Sequence, residues 1–194
     1  MIRALCVFCG SSPGFDPVHG EAARALGAAI AAAGIDLVYG GGKVGLMGIV
    51  ADAVMAGGRR ATGVIPRALF ELEVGHTGLS ELHVVASMHE RKAMMADLSD
   101  GFIALSGGIG TFEELFEIWT WAQLGDHAKP VALLNIAGFY DKLAGFLDDV
   151  VAAGFLRAVH RDMLMMGDEP AALVARMRDY TPPVVAKWIG DRER

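Results

Sequence analysis

Phe102-Ile103-Ala104-Leu105 runs straight into Ser106-Gly107-Gly108-Ile109-Gly110-Thr111, and Phe112-Glu113-Glu114 follows. The four apolar residues suit a buried strand, and the periodic apolar run over 111–124 suits a helix. A glycine turn between strand and helix frees several backbone N–H groups at the helix N-terminus, where the dipole favours an anion. Thr111 adds a hydroxyl donor, so a phosphate can be held here without any lysine. Glu113 and Glu114 read as first-turn carboxylates, which the dipole favours in any helix, and capping alone accounts for either one. Glu114 is also four residues past Gly110 and shares its helix face. A carboxylate there can reach the sugar of a nucleotide whose phosphate sits on the loop.

The same strand–turn–helix pattern repeats outward from this stretch. Strands are predicted at 4–9, 36–39, 61–65, 82–86, 102–105 and 131–135, and helices at 19–33, 46–56, 89–98, 111–124, 140–153 and 171–178. Continuously apolar strands separated by amphipathic helices mean a parallel sheet covered on both faces. The fold class is therefore α/β: a single Rossmann-like, doubly wound parallel sheet with helices on both faces. Ligands of such sheets bind beyond the carboxyl ends of the strands. Residues 1–180 read as one nucleotide-binding catalytic domain, and 181–194, with Pro182-Pro183, as a surface tail. The stretch 66–80 fits neither period and reads as a functional loop.

Three other strand ends carry candidate ligand residues. The first is Cys9-Gly10-Ser11-Ser12-Pro13-Gly14, where Ser11 and Ser12 offer hydroxyls to phosphate or ribose and a plain turn explains the composition nearly as well. The second is Gly40-Gly41-Gly42-Lys43-Val44-Gly45, a GxGxxG match after a strand and before a helix. Its second half fails, because the next strand ends in Pro66-Arg67 where the dinucleotide fingerprint wants an acidic residue. A P-loop is excluded as well, since Val44 follows Lys43 and Leu37 stands where glycine is needed. What remains is a loop in which Gly41 and Gly42 let a ligand approach the backbone, or a tight turn only. The third is Ser87-Met88-His89-Glu90-Arg91-Lys92, where two cations at a helix start oppose the dipole and suggest anion binding. A solvated Arg-Lys pair offset by Glu90 is the plainer alternative.

Composition narrows the function further. Lys plus Arg is 17 against 23 Asp plus Glu, a net charge of −6, which argues against nucleic acid or an anionic membrane as partner. Glycine supplies 25 of the 194 residues, an excess that points to tight turns and close backbone approach to a ligand. The most apolar stretch, 22–38, contains Arg24 and Asp36 and is broken by Gly27 and Gly34, so it does not suit a membrane span. Met1-Ile2-Arg3 enters a strand at once, without the parts of a signal peptide, and a cytoplasmic protein is expected. Cys6 and Cys9 are three apart on a strand and face opposite sides, so they pack in the core and do not pair. No His, Cys or Asp cluster has metal-ligand spacing.

These motifs together resemble the Lonely Guy family, the cytokinin riboside 5′-monophosphate phosphoribohydrolases formerly labelled lysine decarboxylases. The family motif PGGxGTxxE is matched by SGGIGTFEE at 106–114, with Ser106 in place of proline. Met88-His89-Glu90-Arg91-Lys92, the glycine run 40–48 and Thr120-Trp121-Ala122-Gln123-Leu124-Gly125 are also similar, and the likeness runs from about 3 to 178. The resemblance implies that Arg91 and Glu114 are the catalytic pair. It implies substrate contacts from Glu73, Lys92, Gly107, Gly108, Ile109, Gly110, Thr111, Glu113 and Thr120. It also implies a homodimer or larger assembly, no cofactor and no metal, with Phe116, Trp119 and Trp121 suited to an interface or to the core. The implied reaction releases free base and ribose 5-phosphate from cytokinin riboside monophosphates and from AMP. A general purine nucleoside-monophosphate nucleosidase and a carrier of a nucleotide or molybdopterin-type cofactor are the alternatives.

Overall fold

Leu5 and Val7 point into one hydrophobic cluster while Cys6 and Phe8 point into another. A strand that is apolar on both faces belongs at the centre of a sheet covered on both sides. The computed structural model, which describes residues 1–72, 75–76 and 78–183, has such a sheet. Among the described residues it contains seven parallel strands: β1 (Ala4–Phe8), β2 (Asp36–Tyr39), β3 (Ala61–Pro66), β4 (Glu81–Val85), β5 (Gly101–Ala104), β6 (Val131–Leu134) and β7 (Leu164–Gly167). The helices between and after them are α1 (Pro17–Ala32), α2 (Gly45–Ala56), α3 (Arg67–Leu72), α4 (Met88–Asp97), α5 (Ile109–Leu124), α6 (Asp141–Ala152), α7 (Ala158–Arg161) and α8 (Pro170–Arg178).

The spatial order is β4-β3-β2-β1-β5-β6-β7. The chain moves outward from β1 to β4, then returns to the other side of β1 to lay down β5. That reversal opens a crevice beyond the carboxyl ends of β1 and β5, where open α/β sheets bind ligands. The register pairs Phe8 with Ala104, so the loops after the two strands leave the sheet side by side. Buried residues of α1, α2 and α8 cover one face, among them Leu26, Val50 and Leu173. Met95 of α4, Leu115 and Trp119 of α5 and Leu147 of α6 cover the other. Cys6 and Cys9 are free and buried in opposite clusters, and burial pushes both thiols up.

The six predicted strands lie within one residue of those observed at each end, and the predicted helices within two. Three features correct the sequence reading. The edge strand β7 was not predicted, because Leu164-Met165-Met166-Gly167 is short, rich in methionine and buried only at Leu164. Residues 67–72 form helix α3 inside the stretch read as a loop. Helix α5 begins at Ile109 rather than Thr111, which moves Glu113 and Glu114 out of its first turn. Dipole capping therefore explains neither glutamate. Most of the expected tail, 184–194, lies outside the described residues. Among the described residues no helix is long and apolar enough to cross a membrane.

The face holding α1 and α2 depends on a glycine contact. A Cβ on Gly27 would lie 2.6 Å from the Ala53 Cβ and 2.7 Å from the Val50 carbonyl oxygen. Gly27→Val is expected to destabilise the fold by about 1–3 kcal/mol through overpacking. Gly145→Ala in α6, where a Cβ meets nothing within 4 Å, should be neutral or stabilising by up to about 1 kcal/mol. Urea unfolding midpoints of the two variants check both.

Candidate active site

The loops after β1 and β5 are stitched together by their backbones. The Gly10 amide donates to the Ser106 carbonyl at 3.0 Å, and the Gly10 carbonyl accepts from Leu46 of α2 at 3.1 Å. Beside this seam lies a cavity of about 310 Å³, lined by Gly10, Ser11, Met47, Leu69, Met88, Arg91, Glu113, Glu114 and the stretch from Gly108 to Thr111. A second cavity of about 530 Å³ lies against the same seam and shares Gly10, Ser11 and Gly108 with it. Both fall in the size range of small-molecule sites.

The N-terminus of α5 forms one wall of the smaller cavity. Gly108 is its N-cap, and no side chain caps the helix. Among the described residues the amides from Gly108 to Thr111 donate to no protein acceptor. A Cβ on Gly107 would fall 2.1 Å from Thr111 Oγ1, so this glycine is needed for the protein's own packing. A Cβ on Gly108 or Gly110 would meet nothing within 4 Å. Open space over unpaired amides at a helix N-terminus is the arrangement that accepts an oxyanion.

Arg91 enters from α4 and is 9% exposed. Its Nη2 lies 3.7 Å from Glu114 Oε1, its Nη1 approaches Met88 Sδ, and its buried Nε has no hydrogen-bond partner. A Cβ on Gly40 would sit 2.0 Å from Nη2, so Gly40 is glycine to admit this guanidinium. The α4 helix that carries it is capped by Ser87, whose Oγ accepts from the Glu90 amide, while the Glu90 carboxylate accepts from the Ala86 amide at 2.8 Å. With the cap thus supplied, the two cations at the helix start serve other partners. Burial raises the Glu114 carboxyl to about 7; the nearby Arg91 opposes that rise and Glu113 adds to it.

Lys92 points away from Arg91. Its Nζ pairs with Glu113 and lies 3.0 Å from Glu117. Burial alone would lower the ammonium, but the hydrogen bonds to the two glutamates outweigh it and hold the group above the ordinary lysine value. Arg91, Glu114, Glu113, Ser11 and the stretch from Gly108 to Thr111 thus meet at one cavity, whereas Lys92 is committed to α5. Thr120 is exposed and donates to the Phe116 carbonyl of its own helix at 2.6 Å, away from that wall. Glu73 lies outside the described residues. Gly41 and Gly42 are buried and line neither of these two cavities. Gly41 has a φ of +77° and a Cβ there would crowd Leu82 and Ile65, so this position needs glycine for the protein's own packing. Trp119 is a core residue whose indole N–H donates to the His160 carbonyl at 3.0 Å, leaving Phe116 the more exposed of the aromatics on α5. Met47, Met88 and Leu69 on the cavity wall had no signal beyond their apolar character.

Three comparisons bear on this site. The family model described as possible lysine decarboxylase matches residues 47–177. A probable cytokinin riboside 5′-monophosphate phosphoribohydrolase of Oryza sativa subsp. japonica is 49% identical over 195 residues, spanning 99% of this chain and 80% of that one. A cytokinin riboside 5′-monophosphate phosphoribohydrolase of Arabidopsis thaliana is 48% identical over 180 residues, spanning 93% and 84%. Among solved structures, the molybdenum cofactor binding protein of Rippkaea orientalis superposes with a TM-score of 0.70 at 19% identity, over 92% of this chain and 97% of that one. At that identity the superposition speaks for the fold alone.

The raised Glu114 has a measurable consequence for stability. Between its ordinary value of 4.5 and about 7 the folded chain holds a proton that the unfolded chain has released. Stability from this group therefore falls as pH rises through that window. Glu114→Gln cannot ionise and escapes the loss. Its melting temperature relative to the native chain should be higher at pH 8 than at pH 5, and an equal difference at both would remove the raised value.

Proposed function

Because the chain belongs to the Lonely Guy family, whose model carries the description possible lysine decarboxylase, we propose that it hydrolyses the N-glycosidic bond of nucleoside 5′-monophosphates. The substrates are cytokinin riboside monophosphates and AMP, and the products are free base and ribose 5-phosphate. The observation that carries this reading is the pairing, in one cavity, of an uncapped α5 N-terminus with a buried carboxylate beside a buried guanidinium. The first suits a phosphate and the second a developing ribosyl cation.

The reaction follows from these groups. Breaking the bond between C1′ and the base leaves an oxocarbenium-like sugar, and the base departs with the bonding electron pair and takes up a proton from solvent. The 5′-phosphate, held by the amides from Gly108 to Thr111, supplies remote binding energy that orients the ribose. Glu114 in its ionised form stabilises the cation and takes a proton from the water that adds to C1′. A guanidinium is no proton donor, so Arg91 acts as a fixed charge toward the phosphate or the departing base. Decarboxylation of lysine would call for pyridoxal phosphate on a free lysine amine. The residues do not fit that cofactor: among the described residues the cavity wall carries no lysine, and Lys92 and Lys129 are held by Glu113 with Glu117 and by the Ala96 carbonyl.

A homodimer built on α5 completes this reading. Ile109, Phe116 and Leu124 leave a line of exposed apolar surface along that helix, more than a lone surface helix needs. The free thiols of Cys6 and Cys9 suit a reducing, cytoplasmic setting.

Glu114→Gln should lower kcat by at least about 100-fold, the low end of acid–base contributions, while AMP still binds. Turnover assays with isothermal titration of AMP check this, and near-native turnover would remove Glu114 from the mechanism. AMP should exceed adenosine in kcat/KM by at least about 100-fold, or about 2.7 kcal/mol, which two charge-assisted hydrogen bonds supply. Comparable values at one ionic strength would defeat the phosphate anchor.

A further inference from the structure

Ser106 stands where the family motif carries proline, and the structure gives its hydroxyl a partner. Oγ lies 2.9 Å from Nδ1 of His19, in the first turn of α1. Ser106 is 4% exposed, and through its carbonyl it is already joined to Gly10. The preceding residue is held too, since the Tyr140 hydroxyl donates to the Leu105 carbonyl at 2.8 Å. These two holders meet through a third ring. Phe139 packs edge-on against His19 with centroids 5.6 Å apart, and edge-on against Tyr140 at 4.9 Å. Leu105 and Ser106 are thus gripped by a closed circuit of Tyr140, Phe139 and His19. His19, Phe139 and Ser106 line the 530 Å³ cavity and not the one that holds Arg91 and Glu114. The hydrolysis as derived gives His19 no part.

We propose that His19 is a positioning residue for the phosphate-binding turn, supplying from α1 the restraint that a proline ring would supply at position 106. The inference rests on the reading of Gly108 to Thr111 as the phosphate site. Proline fixes φ covalently, and serine leaves it free. The hydrogen bond to His19 replaces that restraint, and it spares a buried hydroxyl from lacking a partner. It survives a change of imidazole charge, because Nδ1 accepts from the hydroxyl in one tautomer and donates to it in the other tautomer and in the cation. The exchange of the two devices is also feasible in place. Ser106 has a negative φ, and among the described residues its amide donates to no acceptor, so a proline here forfeits no hydrogen bond. Ser106 and His19 therefore form one unit.

The test is a set of double-mutant cycles on the full chain: His19→Ala, Ser106→Pro, Ser106→Ala and the two pairs. One readout is amide hydrogen exchange over 105–112 without ligand; the other is KM against kcat for AMP and isopentenyladenosine monophosphate. His19→Ala should speed exchange and raise KM about three- to tenfold, the range one neutral hydrogen bond spans, with kcat within about twofold. Ser106→Ala should match it, and combining the two should add little. In the Ser106→Pro background His19→Ala should change neither readout by more than about twofold. Equal losses from His19→Ala in the serine and proline backgrounds overturn the proposal, as does unchanged exchange in the single variant. Should Ser106→Pro fail to fold, the alanine cycle decides, and additive losses there overturn it. A native chain that hydrolyses neither nucleotide refutes the hydrolase reading, and the exchange data then judge the His19 restraint separately.

Discussion

A guanidinium keeps its charge at every accessible pH, so burying one obliges its surroundings to supply a countercharge. Arg91 imposes that obligation on the site. Gly40 must lack a side chain to make room for it, and Ser87 and Glu90 must cap α4 so that the helix presents it from a fixed turn. Glu114 must face it from α5, 3.7 Å away. The sheet order brings these parts together. The ends of β2 and β5 flank β1, so Gly40 from one side and the α5 N-terminus from the other converge on one crevice. The buried Nε left without a partner keeps one donor of the site uncommitted.

Adjacent glutamates on α5 take opposite roles because one helical step turns them about 100° apart. Glu114 turns inward to Arg91 and loses water, which raises its carboxyl to about 7. Glu113, which also lines that cavity, pairs with Lys92 and stays half exposed, with Glu117 on the same lysine. This pair fastens α4 to α5, and these are the helices that carry Arg91 and Glu114. Lys92 thus acts on the cavity through geometry, by holding the distance between the two charges.

Much of this was legible in the sequence because it is local. Strand ends follow from apolar runs meeting glycine, and the open α5 N-terminus follows from Gly108 and Gly110 after a strand. What was not legible depends on contacts between distant segments. Gly40 reads as part of a dinucleotide turn, yet its neighbour is a side chain that enters fifty-one positions later, Arg91, and no window around 40–48 contains that fact. The same holds for His19, whose partner Ser106 is 87 residues away. The methionine-rich β7 was missed for a different reason: as an edge strand it is buried mostly by one neighbour, so its sequence has little need of the β-branched residues that mark a central strand.

The same geometry gives a reason for placing a residue unable to donate its proton beside the one proposed to move it. A phosphate bound, as proposed, at the α5 N-terminus would bring negative charge to the cavity that Glu114 lines, and like charges favour the protonated acid. The value of about 7 is already the balance of burial, which raises the carboxyl, and Arg91, which lowers it, so without the guanidinium the acid would sit higher still and a phosphate would add to the rise. A unit charge about 4 Å away is worth about 4 kcal/mol at the effective dielectric of a partly buried site. Arg91 stands at that range from Glu114, so its fixed charge is what holds the carboxyl near neutrality rather than well above it. On this account the arginine limits how far burial and an incoming anion shift the glutamate, which keeps part of the group available as the anion that the proposed hydrolysis uses.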